Sequence, residues 1–398
     1  MTSFKPHSAT LAVRAGLEDD TQYGAVVPPL HFSSTFAFAG FGQPRAHDYS
    51  RSGNPTRDLL ANALIDLEGG QAATVTATGM AAITTVLQLL KPGDRLLAPA
   101  DCYGGTWRLL DALHQRGAFE LEWVDFYSDD DWRNKLESGA AMVWLESPSN
   151  PLLRITDIRA VVEQARASGA LVVVDNTFMS PALQNPIALG ADLVVHSTTK
   201  YINGHSDVVG GAVISADKER GQQLAWWANC LGVTASAFDC WQTLRGLRTL
   251  DVRMQRHLEN TTLLVEMLEG HAAVEHIYYP GLPSHPQHAL AERQQRGFGA
   301  VISFELEGGE TAVRSFLDGL EFVSLAESLG GVETLIAHPA TMTHAAMSAD
   351  AQRRAGIRSG LLRLSVGLED GRDLVRDLGR ALVRAKASTS KVSRHAVA

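Results

Sequence analysis

Two side chains of opposite charge follow apolar runs in the middle of the sequence. Asp175 comes directly after Val172–Val174, and Lys200 comes shortly after Leu193–Val195. A carboxylate that follows three valines lies in apolar surroundings and therefore needs a partner. Aspartate is also common in turns and helix caps, so the position alone is not specific. A direct ion pair between Asp175 and Lys200 explains both positions, and so does a cofactor held between them.

The surroundings of Lys200 favour the cofactor. Lys200 lies in the segment HSTTKYINGH (196–205), among small hydroxyl side chains rather than on a charged helix face. A positioned lysine amine forms Schiff bases with carbonyl groups. Pyridoxal phosphate needs such a lysine, an acid at its ring nitrogen, groups that bind its phosphate, and a side chain that stacks on its ring. Lys200 and Asp175 supply the first two of these.

Candidates for the other two requirements follow neighbouring predicted strands. Gly79 and Met80 open a predicted helix immediately after a strand, where free backbone N–H groups and the helix dipole bind phosphate. Ser197 and Thr199 add hydroxyl donors. Glycine also marks ordinary strand-to-helix turns, so this signal is weak by itself. Tyr103 follows another strand and has a ring that can stack, although an ordinary half-buried tyrosine is the alternative.

The elements that position these residues are helices alternating with apolar strands. Helical spacing of apolar residues predicts helices at residues 57–68, 79–90, 106–117 and 155–169. Short apolar runs predict strands at residues 72–78, 95–100, 121–126, 141–147, 170–176 and 191–197. This alternation predicts an α/β fold with a mostly parallel sheet that is covered on both faces. In such sheets ligands bind beyond the carboxyl ends of the strands.

The pattern divides the chain into four segments. Residues 1–56 are rich in Gly, Pro, Ser and aromatic residues, which predicts an irregular arm. The alternating block predicts a large domain over residues 57–255. Three helices and two strands predict a smaller C-terminal α/β domain over residues 256–385. The polar end of the sequence, residues 386–398, is predicted to be disordered.

Composition excludes several classes of function. The 398 residues carry a formal net charge of −9, with 45% hydrophobic and 20% charged residues. A negative protein of this kind does not attract nucleic acid or an anionic membrane through its overall field. No run approaches the roughly 18 apolar residues of a membrane span, and no signal peptide is recognised. Cys102, Cys230 and Cys240 form no CxxC pair, which favours a reducing compartment and a cytoplasmic location.

Histidines occur in two pairs that invite a metal interpretation. His285 stands near His288, and His338 stands near His344. Neither pair has the spacing or the acidic or thiol companions of a zinc site. We therefore predict no metal.

The sequence resembles the family of pyridoxal-phosphate enzymes that make and break cystathionine, and the match runs nearly from end to end. The matching stretches are YSRSGNPTR (49–57), TGMAA (78–82), DCYGGTWR (101–108), ESPSNP (146–151), VVDNTF (173–178), HSTTKYINGHSD (196–207), AESLGGVE (326–333) and LLRLSVGLED (361–370). The resemblance implies a fold-type-I transferase that is similar to aspartate aminotransferase. It also implies a homotetramer in which neighbouring subunits share active sites.

The resemblance implies roles around the cofactor for residues at matching positions. Lys200 matches the Schiff-base lysine of pyridoxal 5'-phosphate, Asp175 the acid at the ring nitrogen, and Tyr103 the stacking residue that assists proton transfer. Phosphate ligands within one chain are matched by Gly79, Met80, Ser197 and Thr199. Tyr49 and Arg51 resemble phosphate ligands contributed by the neighbouring subunit, which would give the irregular arm a function.

Further matches concern the amino-acid substrate. Arg363 resembles the arginine that binds the substrate α-carboxylate, a task suited to a planar, bidentate donor. Asn150 and Ser328 match residues near the cofactor's ring oxygen and the substrate carboxylate. Arg108 matches an arginine that faces the far carboxylate of the substrate in γ-replacing members. An exposed helix arginine is its ordinary alternative.

Three features favour a γ-replacing member of the family. Asp48 stands beside the phosphate-binding segment of the arm, Asn229 lies in the similar segment LAWWANCLGVTASAFD (224–239), and Glu327 resembles the glutamate of γ-acting members. The expected reaction converts O-succinyl-L-homoserine or O-acetyl-L-homoserine and L-cysteine to L-cystathionine, in methionine biosynthesis by transsulfuration. A lyase that cleaves cystathionine to cysteine, α-ketobutyrate and ammonia is the alternative.

One position departs from the pattern. Some γ-replacing members have a second arginine directly after the phosphate-binding one, and here that position is Ser52. The change removes a possible charge-assisted contact to the succinyl carboxylate, worth about 1.5–3 kcal/mol. The sequence therefore leaves the acyl group of the substrate open between succinyl and acetyl.

Overall fold

The computed structural model describes residues 6–127, 129–345, 347 and 349–395. Contacts between Cα atoms divide the chain into two compact units. The first unit contains residues 1–99, 108–146 and 156–252, and the second contains residues 100–107, 147–155 and 253–398. The domain limits inferred from sequence remain a prediction.

A seven-stranded sheet organises the first unit. Its strands are β1 (Ala72–Thr76), β2 (Arg95–Pro99), β3 (Glu120–Val124), β4 (Met142–Glu146), β5 (Leu171–Asp175), β6 (Leu193–His196) and β7 (Gly211–Ser215). Their order is β1-β7-β6-β5-β4-β2-β3. Strands β3, β2, β4, β5 and β6 run parallel, whereas β7 is antiparallel to both of its neighbours. The sheet confirms the predicted α/β class, and β7 is a strand that the sequence pattern did not indicate.

In the described part of the chain, nine helices begin between residues 8 and 237, before, between and after the strands of this sheet. They are α1 (Ser8–Arg14), α2 (Pro55–Glu68), α3 (Gly79–Leu87), α4 (Gly104–Gln115), α5 (Asp129–Glu137), α6 (Ile158–Ser168), α7 (Ser180–Leu183), α8 (Lys218–Leu231) and α9 (Ala237–Leu247), with a 3₁₀ turn at Ile187–Leu189. Of these, α4 contributes residues to both units. In the arm, α1 is the one helix found among residues 6–54, and residues 1–5 lie outside the described residues.

Alternate side chains of the central strands enter two different apolar clusters. In β5, Val173 packs in a cluster with side chains of α3, α4 and α8. Its neighbours Val172 and Val174 pack in another cluster with side chains of α5 and α6. Because successive side chains of a strand point to opposite faces, the sheet is covered on both faces, as predicted.

Local sequence explains where α2 begins and ends. The side chain of Asn54 accepts hydrogen bonds from the backbone N–H groups of Thr56 and Arg57, and Pro55 occupies the first helical position. Gly69 ends the helix in the left-handed conformation, with φ of 78°. This confirms the helix predicted at residues 57–68 and places Glu68 at its last turn.

A five-stranded sheet and a helical layer form the second unit. The strands are β8 (Val274–Tyr278), β9 (Val301–Leu306), β10 (Ser324–Leu325), β11 (Leu335–Ala337) and β12 (Leu361–Ser365), in the order β10-β11-β12-β9-β8. The helices are α10 (Leu250–Glu269), α11 (His288–Gln294), α12 (Gly309–Leu317), α13 (Ala349–Arg354) and α14 (Gly371–His395). Side chains from β9, β12, α10, α12 and α14 share one apolar cluster. None of the helices described in either unit combines the length and apolar character needed to cross a membrane.

Helix α14 corrects the predicted disorder at the end of the chain. The helix continues to His395, although the sequence analysis predicts disorder from residue 386. Leu374, Leu378 and Leu382 fix the first half of the helix in the apolar cluster. The segment that follows contains no Gly or Pro, so no helix-ending signal interrupts it. The remainder of that prediction, residues 396–398, lies outside the described residues.

Gly211 packs closely against the start of α3. A Cβ atom on Gly211 would lie 2.2 Å from the carbonyl oxygen of Thr78 and 2.8 Å from the Cα of Gly79. Because these are backbone atoms, we expect Gly211→Ala to lower the free energy of unfolding by about 1–3 kcal/mol. Gly379→Ala in α14 is the matched control, since no atom lies within 4 Å of its Cβ position. Thermal unfolding of both variants tests this, and equal midpoints would contradict it.

His257 in α10 predicts a pH dependence of stability. Its Nδ1 lies 2.6 Å from the carbonyl oxygen of Val366, and burial lowers its pKa from 6.5 to about 4. The folded protein therefore keeps His257 neutral, whereas the unfolded chain binds a proton below pH 6.5. Stability should fall as the pH decreases from about 6.5 towards about 4.

Denaturant unfolding at several pH values measures this effect. We expect His257→Gln to reduce the slope between about pH 6.5 and 4, because the variant has no proton to bind at this position. Part of the slope should remain, since burial also lowers the pKa of His285 and His344 to about 4. A slope identical to that of the original chain would show that His257 does not contribute.

Candidate active site

Asp175 and Lys200 lie at the carboxyl ends of adjacent parallel strands. Asp175 is the last residue of β5, and its Cα partner in β6 is Val195. Lys200 lies in a turn just beyond β6. Its backbone N–H donates to the Ser197 carbonyl oxygen at 3.2 Å, and its own carbonyl oxygen accepts from the N–H of Gly204 at 2.8 Å. The turn therefore fixes the backbone of the lysine at the rim of the sheet where ligands bind.

Burial makes the charge of Asp175 costly. It raises the pKa of this carboxyl group, while hydrogen bonds from Thr177 and the charge of His196 act in the opposite direction. The N–H of Thr177 lies 3.0 Å from Asp175 Oδ1. In the described part of the chain, Asp175 forms no ion pair with a lysine or arginine, so the direct pair with Lys200 is not formed. The carboxylate is suited to accept a hydrogen bond from a protonated ring nitrogen.

The start of α3 forms a small cradle with the turn after β6. A Cβ atom on Gly79 would lie 2.9 Å from Ser197 Cβ and 3.1 Å from Ser197 Oγ, so only glycine allows this approach. Thr78 caps the helix by accepting from the N–H of Ala81 at 2.9 Å. The N–H groups of Gly79 and Met80 belong to the first turn, which has no intrahelical acceptors for them. Such a helix start binds phosphate.

Hydroxyl groups complete the cradle and hold its parts together. The backbone N–H of Ser197 donates to Thr177 Oγ1 at 2.9 Å, which links the turn to the residue that contacts Asp175. The N–H of Gly210 donates to Thr199 Oγ1 at 2.9 Å. A Cβ atom on Gly210 would lie 2.5 Å from Thr198 Oγ1. Thr177 and the glycine pair Gly210–Gly211 at the start of β7 are therefore parts of the candidate site that the sequence analysis missed, although a Thr directly after DN and a Gly-Gly pair were visible signals.

These residues of the first unit fit pyridoxal phosphate. The cradle offers backbone N–H groups and hydroxyls to a phosphate, and Gly79 and Gly211 leave no room for a side chain at its base. Asp175 offers a carboxylate that forms no ion pair with a lysine or arginine among the described residues, which suits a protonated pyridine nitrogen. Lys200 is the residue predicted to supply the amine for the aldehyde carbon.

The arm contributes a second group of predicted residues to the first unit. Arg51 donates through Nε to Asn229 Oδ1 at 2.9 Å, and its guanidinium carbon lies 5.6 Å from the centroid of the Tyr49 ring. Asp48 accepts from the N–H of Tyr49 at 2.6 Å and from Ser52 Oγ at 2.9 Å. The arm thus contacts Asn229 of α8 within one chain. The binding of phosphate in a neighbouring subunit by Tyr49 and Arg51 remains a prediction.

Ser52 influences the charge of the arm. Its hydrogen bond is the main cause that lowers the pKa of Asp48 below its ordinary value. Position 52 thus holds a hydroxyl that stabilises a negative charge.

In the second unit, the structure brings together the residues predicted to bind the substrate carboxylate. Arg363 lies in β12 and is 3% exposed. Its guanidinium donates through Nη1 to Asn150 Oδ1 at 2.9 Å and through Nη2 to the carbonyl oxygen of Ser328 at 3.0 Å. Ser328 has a φ of 98°, a strained conformation for a residue with a side chain. Two fixed acceptors therefore orient the guanidinium, and the strained backbone is part of this arrangement.

His344 is an addition to this second group. Burial and then the charge of Arg363 lower the pKa of His344 to about 4, while a hydrogen bond involving the backbone of Asn150 acts in the opposite direction. A neutral imidazole beside Arg363 leaves the positive charge of the guanidinium available to a carboxylate. The sequence analysis considered His344 for a metal site and missed this position.

The remaining predicted residues are exposed. Tyr103 is 43% exposed, directly before α4, and its carbonyl oxygen accepts from the N–H of Trp107 at 2.9 Å. Arg108 is exposed on α4 and forms no hydrogen bond or ion pair with the described residues. Glu327 is exposed next to Ser328. Within the first unit, no hydrogen bond or ion pair joins Arg108 to Asp48 or Asn229, so the three are not brought together by direct bonds.

Comparison with known proteins extends these observations. The sequence profile described as "Cys/Met metabolism PLP-dependent enzyme" matches residues 9–383. Cystathionine gamma-synthase of Escherichia coli (strain K12) is 57% identical over 371 residues, which cover 93% of this chain and 96% of that protein. Cystathionine beta-lyase of Coxiella burnetii (strain RSA 493 / Nine Mile phase I) is 44% identical over 380 residues, which cover 95% of this chain and 98% of that protein.

Solved structures with the same fold belong to the same group of cystathionine enzymes. Cystathionine gamma synthase from Xanthomonas oryzae pv. oryzae in complex with cystathionine has a TM-score of 0.96 and 60% identity, covering 97% of this chain and 100% of that chain. Cystathionine gamma-lyase from Lactobacillus plantarum complexed with L-serine has a TM-score of 0.93 and 39% identity, covering 96% and 100%. These matches confirm the resemblance, the fold class and the cofactor predicted from the sequence. The chain belongs to the family of Cys/Met metabolism PLP-dependent enzymes.

Proposed function

We propose that the chain catalyses γ-replacement on an O-acyl-L-homoserine, in which L-cysteine displaces the acyl group and L-cystathionine is formed. The observation that carries the proposal is the difference in identity among relatives. Identity is 57% and 60% to two gamma-synthases, and 44% and 39% to two lyases, over nearly the whole chain. The reaction breaks the Cγ–O bond, releases a carboxylate and a proton, and forms a Cγ–S bond. It belongs to methionine biosynthesis by transsulfuration.

Residues of the first unit would hold the cofactor and move protons. When bound, pyridoxal phosphate supplies an electron-accepting ring to which the substrate nitrogen is joined. Gly79, Met80, Ser197 and Thr199 bind the phosphate, and Asp175 holds the proton on the ring nitrogen. Lys200 would hold the cofactor through its aldehyde carbon between turnovers, and its amine would remove the proton at the substrate Cα.

Other side chains would orient the substrate. Arg363 binds the α-carboxylate through a guanidinium that Asn150 and Ser328 already hold, so little orientational entropy is lost on binding. Tyr103 stacks on the ring and assists proton transfer near the thiol or the leaving group. Arg108 faces the far carboxylate, a role supported by an exposed guanidinium that makes no hydrogen bond with the described residues. Glu327 and Asn229 lie near the distal end of the substrate.

The proposal includes an assembly and a location. The enzyme acts as a cytoplasmic homotetramer in which Tyr49 and Arg51 of one arm bind the phosphate of the neighbouring subunit. Family membership supports the assembly. The exposed Tyr49 ring, at 49%, is consistent with a partner on this surface. Residues 57–255 bind the cofactor, and residues 256–385 form the smaller domain.

A product assay tests the proposed reaction. The holoenzyme is incubated with O-succinylhomoserine, with and without cysteine, and separately with cystathionine alone, and products are identified by mass spectrometry. We expect cystathionine when both substrates are present, and slow formation of α-ketobutyrate and ammonia when cysteine is absent. Lys200→Ala should abolish both reactions, because no other residue is proposed to move the Cα proton.

The same assay separates the synthase from a lyase. Rapid release of cysteine from cystathionine, without synthesis from the two substrates, would overturn the γ-replacement proposal and assign a γ-lyase. Full turnover by Lys200→Ala would instead overturn the role of the lysine.

Ser52 in the arm leads to a prediction about the preference between O-succinylhomoserine and O-acetylhomoserine. Because Ser52 stabilises the negative charge of Asp48 instead of adding a cation, we expect Ser52→Arg to raise kcat/KM for O-succinylhomoserine relative to O-acetylhomoserine. A charge-assisted bond of about 1.5–3 kcal/mol corresponds to a change in that ratio of roughly tenfold or more. Ser52→Gln, which adds length without charge, is the control. An unchanged ratio in Ser52→Arg would show that this position does not contact the acyl group.

A further inference from the structure

One face of the five-stranded sheet carries buried polar side chains. Ser303 in β9 is the direct ladder partner of Arg363 in β12, and Ser365 lies two residues further along β12. Paired residues of an antiparallel ladder point to the same face, and so do alternate residues of one strand. The three side chains therefore share a face, and each is at most 3% exposed. Leu362 and Leu364, on either side of Arg363 in sequence, enter the apolar cluster on the other face.

Ser365 holds the loop that contains Ser328. A buried hydroxyl is costly unless it forms a hydrogen bond, and Ser365 Oγ accepts from the backbone N–H of Gly330 at 2.9 Å. Two residues earlier in the loop, the carbonyl oxygen of Ser328 accepts from Arg363 Nη2 at 3.0 Å. Alternate side chains of β12 thus hold both ends of the segment 328–330.

Ser303 holds the segment that contains the other acceptor of the guanidinium. Its Oγ donates to the carbonyl oxygen of Pro151 at 2.6 Å. Pro151 directly follows Asn150, whose Oδ1 accepts from Arg363 Nη1 at 2.9 Å. Each of the two acceptors therefore lies within two residues of a backbone group that is bonded to a serine hydroxyl on the face of Arg363.

The loop of Ser328 depends on such bonds because its backbone is strained. Ser328 has a φ of 98°, and Gly330 has a φ of 75°. A serine in this conformation costs free energy and persists only where the surrounding contacts hold it. The bonds to Arg363 and Ser365 are contacts of this kind. Loss of the bond to Ser365 would let the Ser328 carbonyl move away from the guanidinium.

We propose that Ser303 and Ser365 are positioning residues that set the selectivity of this site for an α-carboxylate. Each serine holds a segment that carries one acceptor of Arg363, so the guanidinium keeps one orientation before a substrate binds. Neither serine touches the substrate in this account, and both act through Arg363. The inference rests on the role of Arg363 in the proposed function.

Two ligands that differ at one group test this inference. L-alanine has the α-carboxylate, whereas L-alaninamide has a neutral amide in its place. Each is titrated into the holoenzyme at one pH, and binding is followed by the visible absorption of the cofactor. We expect Ser303→Ala and Ser365→Ala each to weaken the binding of L-alanine by about fivefold or more, the equivalent of one hydrogen bond. The affinity for L-alaninamide should not change.

Ser315→Ala in α12 is the matched control. Ser315 Oγ donates to the carbonyl oxygen of Arg384 at 3.1 Å, in a helix that packs on the apolar face of the sheet. The variant removes the same kind of bond as Ser303→Ala, and it should keep the ratio of the two affinities of the original chain. A general loss of stability would affect both ligands alike. Because Ser303 and Ser365 hold different segments, either variant carries the test if the other does not fold.

Arg363→Gln distinguishes failure of this inference from failure of the proposed function. It should weaken the binding of L-alanine much more than that of L-alaninamide, and in its background the serine variants should not change the ratio further. If Arg363→Gln weakens both ligands equally, the role of Arg363 is wrong and the serines have nothing to position. If Arg363→Gln is selective but the serine variants keep the ratio of the original chain, or change it no more than Ser315→Ala does, the positioning role alone is wrong.

Discussion

A carboxylate at the end of a buried parallel strand must be compensated, and the first unit is arranged around that requirement. Burial raises the pKa of Asp175, so its charge depends on what surrounds it. Thr177 donates a hydrogen bond to it, and the charge of His196 acts in the same direction. The described chain places no lysine or arginine in an ion pair with Asp175. A cationic ligand can balance the negative charge of Asp175, and the protonated ring of pyridoxal phosphate has the required charge.

The phosphate cradle depends on the same strands through close packing. Gly211 opens β7 against the backbone of Thr78, and Gly79 opens α3 against Ser197. Because neither glycine has a side chain, the helix start can approach the turn that carries Lys200. A ligand with a phosphate at one end and an aldehyde at the other therefore meets groups whose backbone positions are set by the sheet. In the second unit, Arg363 is likewise fixed before any substrate arrives, by Asn150 and Ser328.

The sequence predicted the parts of this arrangement that depend on local pattern. Apolar runs located β5 and β6, and thereby Asp175 and Lys200, because a buried strand has to be apolar on both faces. The serine hydroxyls that hold the two acceptors of Arg363 were not predictable, since each of their bonds joins residues far apart in the chain. Strand β7 was missed because Gly210 and Gly211, just before it and at its first position, weaken the strand pattern. The positive φ of Ser328 could not be predicted, because serine has no preference for that conformation. The role proposed for Arg363 came from the resemblance, because one arginine in an apolar strand indicates no ligand by itself.

The most direct test of the account is the location of the covalent bond between the protein and its cofactor. The yellow holoenzyme is reduced with borohydride, digested, and mapped by mass spectrometry. The account predicts one modified peptide, with the reduced pyridoxyl group on Lys200, and loss of the visible band. Modification at a different lysine, or a bound cofactor that borohydride does not fix to the chain, would contradict the central claim that the turn after β6 holds the reactive amine.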